Sequence, residues 1–181
     1  MLDLRQERFW TIPNLLSLSR IALLPVWWGV MSSSNRVIWW WGVVLIVYGI
    51  ASDVLDGYIA RRFNQMSGWG RVLDPLSDKI AAGVIAVFCV AHRDLPDLAL
   101  FLMVGRDLLL VLAGWAILRR SGEVPMSINL GRFAAFLWGI TLLLYSFGWQ
   151  VYGRYILWPV VGFYLIAGLA YLMRRGRLVF N

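Results

Sequence analysis

Four aspartates lie close together in a chain that is otherwise strongly apolar. Asp53 and Asp56 are three residues apart, and Asp74 and Asp78 are four residues apart. On a helix, either spacing places the two carboxylates of a pair on one face. A charged carboxylate inside a membrane costs at least about 2.5 kcal/mol even on a lenient insertion scale, so four of them need compensation. The pattern therefore indicates a functional site.

The two pairs belong to consecutive apolar segments, residues 37–63 and 71–92, which a short turn joins as an antiparallel pair. At a rise of about 1.5 Å per residue, Asp53 and Asp78 lie about 16 Å and 15 Å from that turn, and the other two aspartates about 12 Å and 9 Å from it. The deeper acids of the two helices are therefore level with each other, and so are the shallower ones.

Four carboxylates at matching depth would form a cup of oxygen ligands. Such ligands suit Mg²⁺ or Mn²⁺, and two ions would neutralise four carboxylates. The alternative is a structural network with the neighbouring cations Arg61, Arg62, Arg71 and Lys79. Gly57 and Ala60 favour a ligand site because small residues leave room beside the acids, although they also permit close helix packing. Arg61 is well placed for a phosphate or a nucleotide.

The remaining composition indicates which elements position these acids. Of 181 residues, 60% are hydrophobic and only 15% are charged, which is typical of an integral membrane protein. Six runs reach the roughly 20 apolar residues that a spanning helix needs. They are residues 13–33, 37–63, 71–92, 95–118, 130–150 and 153–173. We predict an all-α, six-transmembrane-helix bundle, one domain over residues 1–181, with a short N-terminal interfacial segment.

Basic residues predict the orientation of the bundle. With a cytoplasmic N-terminus, ten arginines fall in inside segments, whereas only Arg36, Arg93 and Arg154 fall outside. Both termini and the aspartates are therefore expected on the cytoplasmic side of the cell membrane. The net charge of +7 reflects arginines that flank spans and attract anionic headgroups, so nucleic-acid binding is not expected. Trp27, Trp28 and residues 39–41 are expected to be interfacial anchors.

Residues 53–78 resemble the signature of the CDP-alcohol phosphatidyltransferase family. All eight fixed positions match, namely Asp53, Asp56, Gly57, Ala60, Arg61, Gly70, Asp74 and Asp78. The resemblance implies that an alcohol hydroxyl attacks the β-phosphate of a CDP-linked lipid, that CMP leaves and that a phosphodiester lipid forms. It also implies a membrane-embedded homodimer that works at the cytoplasmic face.

The resemblance also implies roles for these residues. Asp53, Asp56 and Asp74 correspond to metal ligands, and Asp78 corresponds to a ligand of the second metal and to the general base. The positions that would receive the CDP-lipid are Asp53, Asp56, Gly57, Ala60, Arg61 and Gly70. In residues 12–20, which resemble the first helix of the family, Asn14 and Ser17 would help to hold the CDP portion.

Three arginines are candidates for an acceptor pocket. Arg20 ends the first-helix pattern, Arg106 belongs to an arginine–acid pair, and Arg132 stands where members that use phosphorylated acceptors have lysine. Together they could bind an acceptor phosphate. Because adjacent helix residues do not face each other, we expect substrate binding by Arg106 in preference to simple pairing with Asp107. The threonine often found three residues after the family lysine is Ala135 here.

Glycerol 3-phosphate is the preferred acceptor, which would give phosphatidylglycerophosphate from CDP-diacylglycerol. The chain is short, residues 73–79 resemble that subgroup, and the candidate pocket is cationic. The alternatives are phosphatidylglycerol, which would give cardiolipin, and inositol phosphate or serine. A divalent-metal transporter is a more distant alternative, because transporters place their sites near the midplane and this cup is offset toward one face. An enzymatically silent scaffold is disfavoured by the intact Asp78 and Arg61.

Overall fold

The computed structural model describes residues 11–62, 68–121 and 129–180, and these ranges contain six α-helices and no strand. The helices are α1 (Ile12–Met31), α2 (Arg36–Arg62), α3 (Gly68–His92), α4 (Asp97–Ser121), α5 (Asn129–Ser146) and α6 (Gln150–Phe180). Each predicted apolar segment corresponds to one helix, so the predicted all-α fold is confirmed. The predicted interfacial segment and most of the turn before α3 lie outside the described residues.

Within the described ranges, three helices are long and apolar enough to cross a membrane. The spans are Asn14–Met31 in α1, Arg36–Asp53 in α2 and Gln150–Met173 in α6, and α5 contributes the shorter apolar stretch Leu130–Ser146. Large apolar side chains of α4, such as Phe101 and Leu108, are exposed. This surface suits lipid rather than water. The chain is a multi-pass membrane protein.

Contacts group the chain into two units, Met1–Val84 and Ile85–Asn181, and the boundary falls inside α3. In the first unit α1 packs along α2, and the hydroxyls of Ser19 and Tyr48 form a hydrogen bond of 2.8 Å between these helices. Gly42 permits the close approach, because a Cβ added there would collide with the sulfur of Met31. The single-domain organisation predicted for the chain stays a prediction.

The tryptophans of the first unit divide into core and surface. Trp27 is buried, whereas Trp40 and Trp41 are exposed near the start of α2. Exposed tryptophans at a helix end agree with interfacial anchoring. The prediction for Trp27 is wrong, because its side chain is buried, as are those of Met31 and Ile46.

In the second unit α6 packs against both α4 and α5. Phe88, Tyr145 and Leu157 are completely buried there. Gly153 lies against the ring of Tyr145, because a Cβ added at this glycine would be 2.7 Å from the ring carbon Cε2. Cys89 is buried too, and its sulfur lies 3.5 Å from the hydroxyl oxygen of Ser146, so it forms part of the core of this unit.

The connection between α5 and α6 is a tight glycine turn. Gly148 has a φ of +79°, the left-handed conformation that glycine adopts most readily. The amide of Trp149 donates to the carbonyl of Leu144 at 2.8 Å, which is the six-to-one bond of a Schellman motif. This motif ends α5 at Ser146, four residues before the end of the predicted segment at position 150.

Candidate active site

Two of the four aspartates share one arginine. Nη1 of Arg20 in α1 donates to Oδ1 of Asp53 in α2 at 2.8 Å and to Oδ1 of Asp78 in α3 at 2.7 Å. The structure therefore brings together the deeper aspartate of each helix, the pair placed level by the rise per residue. The sequence offered no sign that Arg20 would lie between them.

Arg20 is fixed from the α1 side. Its Nη2 donates to the hydroxyl of Ser17 at 3.3 Å, one turn earlier on the same face. Asn14, a further turn back, is buried like Ser17, and its backbone N–H donates to the hydroxyl of Thr11, which caps the helix. One face of α1 therefore carries three buried polar residues at intervals of three, namely Asn14, Ser17 and Arg20.

Exposure differs sharply across the ion pairs. The Arg20 side chain is 8% exposed, whereas those of Asp53 and Asp78 are 52% and 55% exposed. Ser52 and Ser77, the residues just before these aspartates, are buried. The guanidinium of Arg20 thus contacts both carboxylates from the buried side, and about half of each aspartate side chain remains accessible to another ligand.

The donor chemistry of Asp53 and Asp78 fits a hard divalent cation, because carboxylate oxygens are the ligands that Mg²⁺ and Mn²⁺ prefer. Among the side chains that the structure describes, no group of three or more acidic, histidine or cysteine residues comes together. The other predicted ligands, Asp56 and Asp74, lie on α2 and α3, but their side chains are outside the described part. The same holds for the predicted CDP-lipid positions Gly57, Ala60, Arg61 and Gly70.

A second polar cluster lies within the second unit, between α4 and α6. Nη1 of Arg106 donates to Oδ1 of Asp107 at 2.8 Å, and the hydroxyl of Tyr164 donates to the same oxygen at 2.9 Å. The guanidinium carbon of Arg106 lies 4.1 Å from the centroid of the Tyr164 ring. The expectation that adjacent residues would not pair is wrong here, because the long arginine side chain folds back and reaches its neighbour above the Tyr164 ring.

The sequence alone did not single out Tyr164, or Gly168, at which an added Cβ would lie 2.9 Å from Nε of Arg106. They are four residues apart on α6, so they share a face, and a glycine inside a helix costs about 1 kcal/mol relative to alanine. A tyrosine followed by a glycine at this spacing, inside an otherwise apolar span, was the signal that could have drawn attention to them.

The other two predicted acceptor residues occupy different places. Arg132 is exposed on α5 of the second unit, directly after Gly131. A Cβ added at Gly131 would lie 3.9 Å from Nη2 of Arg106, so the guanidinium end lies beside the residue that precedes Arg132. Arg20 belongs to the first unit. A pocket common to all three arginines stays a prediction.

The apolar spans and the arginine-linked aspartates define a membrane protein with a polar site built on its helices. The model of the CDP-alcohol phosphatidyltransferase family matches residues 10–169. The chain therefore belongs to this family, and it is an enzyme of the phosphatidyltransferase class. The resemblance seen in residues 53–78 is confirmed across most of the chain. Family members generally depend on a divalent metal.

Curated relatives fall into two named activities. A cardiolipin synthase (CMP-forming) of Streptomyces coelicolor is 36% identical over 96% of this chain and 86% of its own length. A CDP-diacylglycerol–glycerol-3-phosphate 3-phosphatidyltransferase of Aquifex aeolicus is 33% identical over 73% of each chain. The protein of that name from Rickettsia bellii is 27% identical over 88% of this chain and 92% of its own length. No solved structure matches the chain.

Proposed function

We propose that this enzyme transfers the phosphatidyl group of CDP-diacylglycerol to glycerol 3-phosphate, forming phosphatidylglycerophosphate and CMP. The observation that carries the proposal is the convergence of Asp53 and Asp78 on one buried guanidinium, with both carboxylates half exposed. A cluster of this kind offers both metal ligands and a base to a substrate that enters beside it. Two of the relatives described above carry the name of this activity.

In this proposal Asp78 acts as the general base. Its carboxylate takes the proton of the acceptor hydroxyl, the hydroxyl oxygen bonds to the β-phosphorus, and the bond from that phosphorus to the CMP oxygen breaks. Asp53, Asp56, Asp74 and Asp78 would hold Mg²⁺ or Mn²⁺, with two ions as the expected number. Bound divalent ions would supply positive charge to the pyrophosphate and to the leaving CMP.

The CDP-lipid would bind along α1 and α2. Asn14 and Ser17 lie on the α1 face that carries Arg20, so polar groups for the cytidine diphosphate are close to the two carboxylates that Arg20 contacts. Gly57, Ala60, Arg61 and Gly70 are assigned to the same site through the family signature. Arg106 and Arg132, both in the second unit, are our candidates for binding the acceptor phosphate, and the predicted part of Arg20 in that pocket stays a prediction.

A second candidate acceptor is phosphatidylglycerol, which would make the enzyme a cardiolipin synthase. The Streptomyces coelicolor relative of that name aligns with nearly the whole chain. Both acceptors present a hydroxyl and a phosphate, so the proposed general base and cationic residues serve either reaction. Inositol phosphate and serine remain weaker alternatives.

One assay separates these acceptors. Purified enzyme in detergent is given CDP-diacylglycerol, Mg²⁺ and glycerol 3-phosphate, phosphatidylglycerol, inositol phosphate or serine in turn, and CMP and the lipid product are measured. We expect the highest kcat/KM with glycerol 3-phosphate and no CMP without an acceptor. Faster turnover with phosphatidylglycerol would replace the first candidate by the second. The absence of CMP release with every acceptor would reject phosphatidyl transfer for this chain.

Arg132→Ala is expected to raise the KM for glycerol 3-phosphate by about tenfold, because one charge-assisted hydrogen bond to the phosphate is lost. The KM for CDP-diacylglycerol should change less than twofold. Arg154→Ala is the matched control, since Arg154 is also exposed but lies in the first turns of α6, at the predicted outer face. Equal changes in both KM values would remove Arg132 from the acceptor site.

The proposed enzyme works in the cell membrane with both termini and the active site on the cytoplasmic side, and it forms a homodimer. The orientation is supported by the distribution of arginines between the two sides. The homodimer is supported by the family resemblance alone. Labelling of single cysteines from either side of the membrane tests the orientation, and the mass of the detergent-solubilised particle tests the dimer.

A further inference from the structure

The side chain of Arg106 lies in a cradle formed by Asp107, Tyr164 and Gly168. Asp107 pairs with the guanidinium at Nη1, and the Tyr164 ring lies against its face. The Tyr164 hydroxyl of α6 also donates to Asp107 Oδ1. The carboxylate that pairs with Arg106 on α4 is therefore held in place by α6. Asp107 and the Tyr164 ring thus fix the position of the guanidinium, and Asp107 is itself held by the Tyr164 hydroxyl.

Gly168 decides how closely Arg106 can lie against α6. A Cβ added at Gly168 would be 2.9 Å from Nε of Arg106 and 3.1 Å from its Cγ. Real Cβ atoms essentially never come within 3.0 Å of such neighbours, so any side chain here would displace the arginine. The aliphatic part of Arg106 therefore packs against α6 at Gly168, where the lack of a side chain leaves room for it.

The other two nitrogens of the Arg106 guanidinium lie in different surroundings. Nε of Arg106 is buried and makes no hydrogen bond to the described part of the chain. The packing against Gly168 therefore leaves one N–H donor unsatisfied. Nη2 lies beside Gly131 on α5, next to the exposed Arg132. Arg106 is 13% exposed and paired with a carboxylate, and its Nη2 lies beside the residue that precedes a second arginine, which suits an anion such as a phosphate.

We propose that Tyr164 and Gly168 are positioning residues that place the Arg106 guanidinium for the phosphate of the acceptor. The inference rests on the proposed function, in which Arg106 contacts the acceptor. The chemical class of the ligand is a phosphate mono- or diester, as found in glycerol 3-phosphate or in phosphatidylglycerol. Neither Tyr164 nor Gly168 touches the reacting atoms in this proposal.

The sharpest test is Gly168→Ala compared with Gly162→Ala. Both replace a glycine of α6 by the better helix former, but a Cβ at Gly162 has nothing within 4 Å, whereas one at Gly168 displaces Arg106. Gly168→Ala should raise the KM for the acceptor by about tenfold or more, the effect of one lost charged hydrogen bond. The KM for CDP-diacylglycerol should stay within about twofold, and Gly162→Ala should resemble the parent enzyme in both values.

Tyr164→Phe provides a second variant in case Gly168→Ala folds poorly. It keeps the ring beneath the guanidinium and removes the hydroxyl, with its bond to Asp107, so a smaller rise of about threefold in the acceptor KM is expected. Tyr164→Leu, which also removes the ring, should raise the KM for the acceptor further. Measurements with glycerol 3-phosphate and with phosphatidylglycerol show which phosphate source the cradle serves.

Thermal unfolding gives a readout that does not need turnover. Glycerol 3-phosphate should raise the unfolding temperature of the parent enzyme and of Gly162→Ala, and this shift should be smaller in Gly168→Ala and absent in Arg106→Ala. A normal shift and normal KM in Gly168→Ala, beside a defective Arg106→Ala, would reject the positioning role and keep Arg106 in the site. If Arg106→Ala changes the KM for no acceptor, both the positioning role and the place of Arg106 in the acceptor site are rejected. If the parent enzyme releases no CMP, the proposed reaction itself is rejected.

Discussion

Asp78→Asn is expected to lower phosphatidyl transfer by about 10³-fold, the middle of the range that a general base contributes. An amide has nearly the shape of the carboxylate but cannot take the proton of the acceptor hydroxyl, and it is a weaker metal ligand. Its oxygen can still accept the hydrogen bond that Arg20 donates to Asp78. The loss should therefore appear in CMP release, with little change in the unfolding temperature.

Asp97→Asn is the matched control for this variant. Asp97 is an exposed aspartate in the first turn of α4, away from the acidic signature. It should retain the activity of the parent enzyme. Full activity in Asp78→Asn would remove Asp78 from the chemistry, whereas a similar loss in both variants would point to a general effect of lost negative charge.

Arg20→Ala is expected to lower kcat/KM by about 10²-fold, because displacement of reacting groups by about 1 Å has an effect of that size. Arg20 is the cation between Asp53 and Asp78, and without it two like charges from different helices repel each other. The unfolding temperature should also fall, but moderately, because both carboxylate side chains are half exposed and solvent screens them. CMP release and thermal unfolding in detergent measure the two effects.

Ser19→Ala separates this effect from a general disturbance of α1. Ser19 precedes Arg20, and its hydroxyl contacts the Leu16 carbonyl and the Tyr48 hydroxyl. It should change the stability slightly and kcat/KM hardly at all. Arg20→Lys keeps the charge, loses the planar fork that also reaches Ser17, and should be intermediate. Parent-like activity in Arg20→Ala would show that the carboxylates need no internal cation.

The helices could be predicted because apolar runs of sufficient length have few alternatives in a membrane. Their ends were predicted less well where the apolar run continues through a turn. Between α5 and α6 the sequence reads Phe147, Gly148 and Trp149, and hydropathy alone does not break there. The left-handed conformation of Gly148 ends the helix, and that is a backbone property.

The meeting of Asp53 and Asp78 could be predicted because it depends on local spacing, whereas the site of four aspartates stays a prediction. Asp53 and Asp56 share a helix face through a three-residue interval, and the same holds for Asp74 and Asp78 at four residues. The depth of each acid along its helix follows from the constant rise per residue. Family membership follows from the same short stretch, since it depends on residue types at fixed intervals.

The partners of the arginines could not be predicted in this way. Arg20 is 33 residues from Asp53 and 58 from Asp78, and Tyr164 is 57 residues from Asp107. No periodicity in a single helix relates residues so far apart, because their meeting depends on how whole helices pack. Likewise, the absence of a side chain at Gly168 matters only because α4 packs against α6 and brings Arg106 to this residue.

The amino-acid sequence by itself thus determined the helices, the acidic signature and the enzyme family, because these depend on local composition and on intervals along one helix. Only the tertiary structure decided that a buried arginine joins Asp53 to Asp78, and that a tyrosine and a glycine on α6 cradle Arg106. The physical reason is that helix packing brings together side chains which the chain separates by dozens of residues.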